Sequence, residues 1–423
     1  MKIFSRKAPT NPANPAETQK RNYSNVQIDA IGIGLASAAA PFLPVFLARL
    51  GASNFQVGLL TSMPAFTGLF LAIIVGSFLQ RQRKILPWFT VARLLGVSAY
   101  ALTGIVPFLV PRSYAVPAVL AIWAVATLPQ TVVAVTFSMV MNAVAGPEGR
   151  YDLMSRRWSI LGLTTTIAVA VVGAVLDRMS FPFNYQVVFM GLSVGGLLSF
   201  YYSSHLQIED NELPVQTPGL SSWQRLRGYV NLVRKEKAFL SFNAMRFVFL
   251  SGTALATPLF PLYYVRIVNA NDAWIGLINT VQTALLLVGY YIWTRQTKRR
   301  GSHFVVMCTT FVIAFYPILT ALTRRVEIIA LYAGLSGIFQ AGIDLVFFDE
   351  LMKTIPVKYS ATFVSLAQSL FYLSAMAAPL AGTFLADQIG LSGALIVSGG
   401  LRMLGFVLFA LNMPRGAFQA AHN

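Results

Sequence analysis

The sequence predicts an all-α membrane protein whose twelve transmembrane helices form two pseudo-symmetric six-helix bundles. Three observations predict it. Of 423 residues, 56% are hydrophobic and only 11% charged, and the mean hydropathy is +0.63. A soluble domain carries about 25% charged residues, so lipid must be the main solvent. The apolar residues fall in runs close to the ~20 residues that cross a bilayer, and the two halves of the chain echo each other. The single cysteine, Cys308, excludes an extracellular disulfide scaffold.

The apolar runs place spans at about 26–48, 56–79, 85–109, 116–143, 158–177 and 184–204, then at 238–266, 273–294, 303–323, 327–352, 360–386 and 392–412. The net charge of +17 would suggest nucleic acid in a soluble chain, but its distribution argues otherwise. Of 32 Lys and Arg, 23 fall in the N-terminus, the even-numbered loops and the C-terminus; six fall in odd-numbered loops (Arg49, Arg112, Arg178, Arg266, Arg324, Arg325). Three lie inside spans: Arg93, Arg246 and Arg402. By the positive-inside rule both termini are cytoplasmic, and the partner of the basic excess is anionic lipid, not nucleic acid. The implied location is the plasma membrane.

Residues 1–25 are polar and basic and read as a cytoplasmic tail; no signal-peptide core precedes the first span. The N-terminal bundle takes 26–204, a cytoplasmic linker 205–237, the C-terminal bundle 238–412, and a second tail 413–423. The linker places Trp223, Leu226, Val230 and Val233 on one helical stripe flanked by Arg225, Arg227, Arg234, Lys235 and Lys237. This suits an amphipathic helix lying on the membrane; a solvated connector fits as well.

The repeat is specific. Pro41-Phe-Leu-Pro44-Val-Phe-Leu-Ala-Arg49 recurs as Pro258-Leu-Phe-Pro261-Leu-Tyr-Tyr-Val-Arg266, and each copy is followed by a span bearing an early glycine, Gly58 or Gly276. Gln130 and Gln340 correspond, as do Asp177 and Asp387, and the basic turn Arg81-Gln-Arg83-Lys84 is answered by Lys298-Arg299-Arg300. Duplicated bundles with a site at their interface are a recurring transporter architecture.

From about residue 22 to 413 the sequence resembles the major facilitator superfamily of secondary transporters. The family's turn after the second span reads roughly G-x-x-x-D-R-x-G-R-K; here it is Gly76-Ser-Phe-Leu-Gln80-Arg81-Gln-Arg83-Lys84, with glutamine for the aspartate and no second glycine. The proline–glycine motif of proton-driven drug antiporters is missing from the fifth span, Gly162-Leu-Thr-Thr-Thr-Ile-Ala-Val-Ala-Val-Val-Gly173. The resemblance implies alternating access at a midplane site and no cofactor.

Catalysis finds little to work with. His205, His303 and His422 sit at span ends or in the tail, Cys308 is alone, and no His, Cys and carboxylate cluster has metal-ligand spacing. No nucleophile motif or phosphate loop is present. The chain is expected not to be an enzyme, with a small solute and protons as partners, acting as a monomer. A non-transporting assembly factor and a lipid flippase on the same scaffold are the alternatives.

Ionisable residues within spans are expensive and are therefore site candidates. Asp344 lies about 14 Å from the cytoplasmic end of the tenth span, deeper than Asp349 and Glu350. A carboxylate there needs a partner, water or a shifted proton affinity. Arg246 has a similar depth in the seventh span, and the resemblance implies that both spans line the cavity. A static pair and a proton-coupling pair are equally open. Asp29 and Arg93 are read as snorkelling structural groups, and Arg402 as paired within its own half, since the resemblance puts the last span at the flank. Polar residues at mid-depth form the substrate-binding candidates: Gln130, Gln340, Asn279, Gln282, Gln368 and Tyr372. Such amides suit a hydrogen-bonding solute, though each alone is also explained by interhelical bonding. Pro41, Pro44, Pro258 and Pro261 interrupt helices and with Arg81 and Arg83 are the gating candidates; inert kinks are the other reading of the prolines.

Overall fold

The computed structural model describes residues 15–79, 82–208, 236–355 and 360–412, and among them every regular element is helical. Helix α1 spans Pro15–Ser37. Proline at the first helical position loses no hydrogen bond, because that N–H is unpaired in any helix, and Glu17 faces the positive end of the dipole. The helix thus begins well before residue 26, and residues 15–25 are not tail. They are pinned to the chain at 205–207. Asn22 donates to the Gln207 carbonyl at 2.6 Å and accepts its N–H at 2.9 Å, while Asn25 donates to the His205 carbonyl at 3.3 Å. The linker stripe, Arg81 and the tail 413–423 lie outside the described residues.

The repeated prolines break the chain at matching places. After α1 a 3-10 turn, Ala40–Phe42, leads into α2, Leu43–Arg49. In the second copy α7, Lys237–Ala256, ends before Pro258, and α8, Leu259–Arg266, follows. Proline cannot donate to the fourth residue back and its ring clashes there. The next helices start with matching caps. For α3, Asn54–Leu79, Ser53 Oγ accepts from Gln56 N–H at 3.2 Å and Gln56 Oε1 accepts from Ser53 N–H at 2.8 Å. For α9, Asp272–Ala321, the Asn271 side chain accepts from Trp274 N–H at 3.0 Å.

The remaining helices are α4, Leu86–Leu109; α5, Arg112–Arg178; α6, Phe183–Ser204; α10, Val326–Lys353; and α11, Ser360–Asn412. Three are too long for one crossing, since 50 residues of straight helix measure about 75 Å against ~30 Å of hydrocarbon. In α5 the rings of Phe137 and Trp158 lie 6.4 Å apart; a straight helix would hold them about 30 Å apart, so the chain doubles back between them. In α9 the turn is at Gly301, φ 83°, and Trp293 and Thr309 from either side of it both abut Gly342. In α11 it is at Gly390, φ 77°, and Ser374 and Ser398 reach the adjacent residues Ser251 and Gly252 at 3.0 and 2.8 Å. These left-handed, extended dihedrals are open only to glycine.

Among the described residues nine segments are long and apolar enough to cross a membrane. Large apolar side chains such as Phe70, Val125, Leu163, Phe348 and Leu411 are exposed on the outside, as suits lipid contact. The cores position the site. One buried cluster draws on both sequence halves: Phe46, Tyr185 and Phe189 share it with Leu259, Leu262 and Tyr263. The other two do not mix. One holds residues 26–206 alone and the other residues 239–409 alone. The halves are therefore fused at the end bearing α2 and α8, termed here the sealed end. They have separate cores toward the end where α1 begins and α11 finishes, the terminal end.

At the sealed end the early glycines of the repeat allow close approaches. A Cβ on Gly276 would stand 2.8 Å from Gly173 Cα, and one on Gly58 would stand 2.7 Å from Thr383 Oγ1. Gly276→Val is expected to cost about 1–3 kcal/mol by overpacking, read as a lower thermal midpoint of the purified protein. Gly191→Ala, where nothing lies within 4 Å, is expected to leave the midpoint unchanged or raise it.

Candidate functional site

The two repeat arginines close the sealed end reciprocally. Arg49, at the end of α2, donates to the Ala270 carbonyl at 3.1 Å and to Asp272 Oδ1 at 2.8 Å. Arg266, at the end of α8, donates to the Ala52 carbonyl and to Asn54 Oδ1, the latter at 2.5 Å. Ala52 and Asn54 stand to Ala270 and Asp272 as the first copy of the repeat to the second. Each arginine thus grips the loop and first residue of the long helix of the opposite half. Asn54 also donates to Asp387 Oδ1 at 2.6 Å, Asn271 to Asp177 Oδ2 at 3.2 Å, and Tyr185 to Asp272 Oδ1 at 2.6 Å. The correspondence of Asp177 with Asp387 is explained by these bonds. By span placement alone Arg49 and Arg266 are loop charges. The signal that could have found them was there, since a P-x-x-P-x-x-x-x-R repeat preserves the arginine as well as the prolines.

Between the halves lies a cavity of about 480 Å³ next to the gate, walled by Pro41, Pro44, Pro261, Tyr264, Asn279 and Gln340 among others. It adjoins, at Thr61 and Pro64, a wider space of about 990 Å³ nearer the terminal end, where Gln130, Gln368 and Tyr372 line the wall. All six substrate-binding candidates therefore line this path, three in each part. Their bonding differs. Gln282 Nε2 donates to Ser336 Oγ at 3.1 Å, and Asn279 Nδ2 turns back to the Ile275 carbonyl at 2.8 Å. Of the gating candidates, Pro41, Pro44 and Pro261 line the cavity and Pro258 is buried behind it. Arg83 is exposed beyond α3.

Asp344 and Arg246 do not form the pair that their equal depth suggested. Asp344 accepts from Gln340 Nε2 at 2.8 Å and from Tyr290 OH at 3.0 Å, two neutral donors. Arg246 instead sits by Asn243 and Ser374 in a small crevice and its Nε has no partner. Depth on a helix fixes height but not azimuth, and these two side chains leave their helices in different directions. Asp349 and Glu350, read as wet, bind Lys353 at 2.7 and 2.8 Å near the end of α10.

Three other expectations need correction. Asp29 and Arg93 do not snorkel. Asp29 is 1% exposed and takes an ion pair from Arg93, a second from Arg157 at 3.7 Å, and a hydrogen bond from Ser199 at 2.6 Å. The extension of α1 carries Asp29 too far from its helix end to reach water. Arg157, just ahead of the apolar run at 158–177, lies in the second arm of α5 and is equally buried, stacked over Phe137 at 4.6 Å. Among the described residues Arg402 has no carboxylate partner; it is buried in the cavity wall, and its Nη1 reaches only the Ile313 carbonyl at 3.4 Å.

Residues 242–422 match the family model of the Major Facilitator Superfamily. The whole chain superposes on a bacterial homologue of the iron transporter ferroportin in its inward-facing state, with a TM-score of 0.70 at 14% identity over 94% of this chain and 99% of that one. The two chains share one fold. The nucleoside transporter NupG gives a TM-score of 0.68 at 12% identity over 92% and 98% of the two chains. A bacterial metal transporter gives 0.64 at 15% over 93% and 98%. No curated protein matches in sequence. Segments long and apolar enough to cross a membrane are thus arranged in a fold that solved transporters share.

The Asp29 cluster is structural in weight. Asp29→Asn leaves two buried guanidinium groups without a counter-ion, and is expected to cost about 3–5 kcal/mol. The check is the thermal midpoint and the folded yield, with Asp29→Glu retaining part of both.

Proposed function

We propose that the protein is a secondary active transporter of the plasma membrane that moves a small solute by alternating access, and that this structure is its inward-facing state. The observation that carries the reading is the contrast between the two ends. At the sealed end the halves share one core and are clasped by the Arg49 and Arg266 bonds. Toward the terminal end each half keeps its own core, with the cavity between them. A site reachable from one side through a path closed on the other is one of the two states that alternating access requires. The ferroportin homologue, itself inward-facing, supports the assignment.

In this reading the chain has twelve spans: α3, the paired arms of α5, α9 and α11, and the single crossings of the other helices, with α1–α2 and α7–α8 each counting as one. They form bundles 26–204 and 238–412 joined by a cytoplasmic linker. Both termini are cytoplasmic, as the basic loops require, which puts the sealed end outside. One chain lines the whole path, so the monomer is the transport unit.

Proton coupling runs through Asp344. Its carboxylate has donors but no cation, so its charge is uncompensated in the span. Gln340 joins it to the solute, because that side chain both lines the cavity and donates to Asp344. Protonation at Asp344 therefore alters the amide that the solute meets.

Two outcomes check this. In a Cys308→Ser background, a cysteine at Thr257 faces the cavity beneath the gate. Arg49→Ala with Arg266→Ala is expected to raise its labelling by an impermeant maleimide added outside at least tenfold; unchanged labelling would sink the alternating-access reading. For coupling, Asp344→Asn in proteoliposomes is expected to retain exchange of solute but lose acceleration by an imposed pH gradient. Full gradient-driven uptake by that variant would remove Asp344 from the mechanism.

A further inference from the structure

The cavity beneath the gate holds one charged side chain among its lining residues, Arg402, and no acid. Among the described residues the other buried arginines have a counter-charge: Arg93 and Arg157 share Asp29. Arg402 is 3% exposed, its Nε has no partner, and its single hydrogen bond is the long one to Ile313. A buried cation left in this state is unfavourable unless an anion neutralises it. Its position is nonetheless built. A Cβ on Gly252 would stand 2.9 Å from Arg402 Cγ, so glycine there makes room for the stem, and Ser398 Oγ ties the same turn to the Gly252 carbonyl.

The walls around it say what the anion is attached to. Phe260 stacks on Tyr316 at 4.8 Å, and the Tyr316 and Tyr264 hydroxyls bond each other at 3.0 Å. Tyr100 meets Trp123 edge to face at 4.8 Å, and the Trp123 indole N–H is given to Thr103. The polar tips of Tyr264, Tyr316 and Trp123 are thus spent on protein partners, and their rings add apolar wall to the cavity. Its volume of about 480 Å³ is in the range of small-molecule sites.

Resting on the transporter reading above, we infer that the substrate is a small organic monoanion, a carboxylate on an apolar or aromatic body. The carboxylate takes the guanidinium fork of Arg402 in the bidentate geometry that arginine favours, and the body packs on Phe260 and Tyr316. A lone arginine matches one negative charge, which selects against dianions such as phosphate esters. Among the described residues no group of His, Cys, Asp or Glu could hold a metal ion, which separates this cavity from a metal carrier's.

The test is a thermal-shift series on the purified full-length protein with benzoate, phenylacetate and hexanoate, each beside its primary amide. At least one acid is expected to raise the midpoint where its amide does not. In Arg402→Gln that shift should vanish or need at least tenfold more acid; Arg402→Lys, which keeps the charge without the fork, should fall between. An acid shift unchanged in Arg402→Gln, amides that stabilise as well as acids, or no acid that stabilises would each overturn the inference. If the glutamine variant does not fold, the lysine variant decides, since an undiminished acid response there removes the fork. The Thr257→Cys labelling separates this failure from that of the transport reading. Labelling that rises in the gate variants while no acid binds sinks the anion alone, and labelling that never rises sinks alternating access itself.

Discussion

The reciprocal clasp at the sealed end is the constraint on which the rest of the structure depends. Two short helices, each released from a longer one by a pair of prolines, end in an arginine that reaches across to the other half. Because each arginine grips the start of a long helix, the entry angles of α3 and α9 are fixed by the opposite bundle, not by their own. Glycines 58 and 276 sit a few residues beyond and let those helices run close to α11 and α5. The cavity's position follows, because helices held tightly together at one end and given separate cores toward the other leave space between them.

Charge inside the assembly follows the same division. In the first half Asp29 neutralises one of two buried arginines outright and shares itself with the second. In the second half Arg246 stands where the repeat would place Asp29's counterpart, and among the described residues neither it nor Arg402 has an acid partner. The duplication that supports a symmetric gate therefore does not extend to the interior. In the proposed transport cycle the symmetric part would handle motion, and the asymmetric part is where a particular solute would be told from others.

Much of this was legible in the sequence, and what was missed has a physical cause. Apolar run length depends on one coordinate, depth, and so the spans and the path-lining amides Gln130, Gln282 and Gln340 could be placed. The proline breaks were legible because their steric effect is local. The pairing of Asp344 with Arg246 required azimuth, which a single span does not reveal. Asp29 was misjudged because α1 runs further than its apolar run, the polar turns at Asn22 and Asn25 being held by backbone groups at 205–207. The gate was half visible, for the repeat displayed its arginines but not that they cross.

The two kinds of ion pair differ in what water can do for them. At the gate, Arg49 is 28% exposed against Asp272 at 7%, whereas Arg93 and Asp29 are 4% and 2% exposed. When the outer pair separates, solvent is at hand to hydrate both partners, so the penalty is nearer that of a surface bridge, ~0–1 kcal/mol, than that of a broken interior one. The inner pair has no such refuge and stays shut through a cycle. The molecule thus has a latch that is reversible because it is wet and a rivet that is permanent because it is dry. In the proposed alternating-access cycle, several weak latches acting together hold the empty protein shut, and a bound solute need supply only a modest free energy to release them.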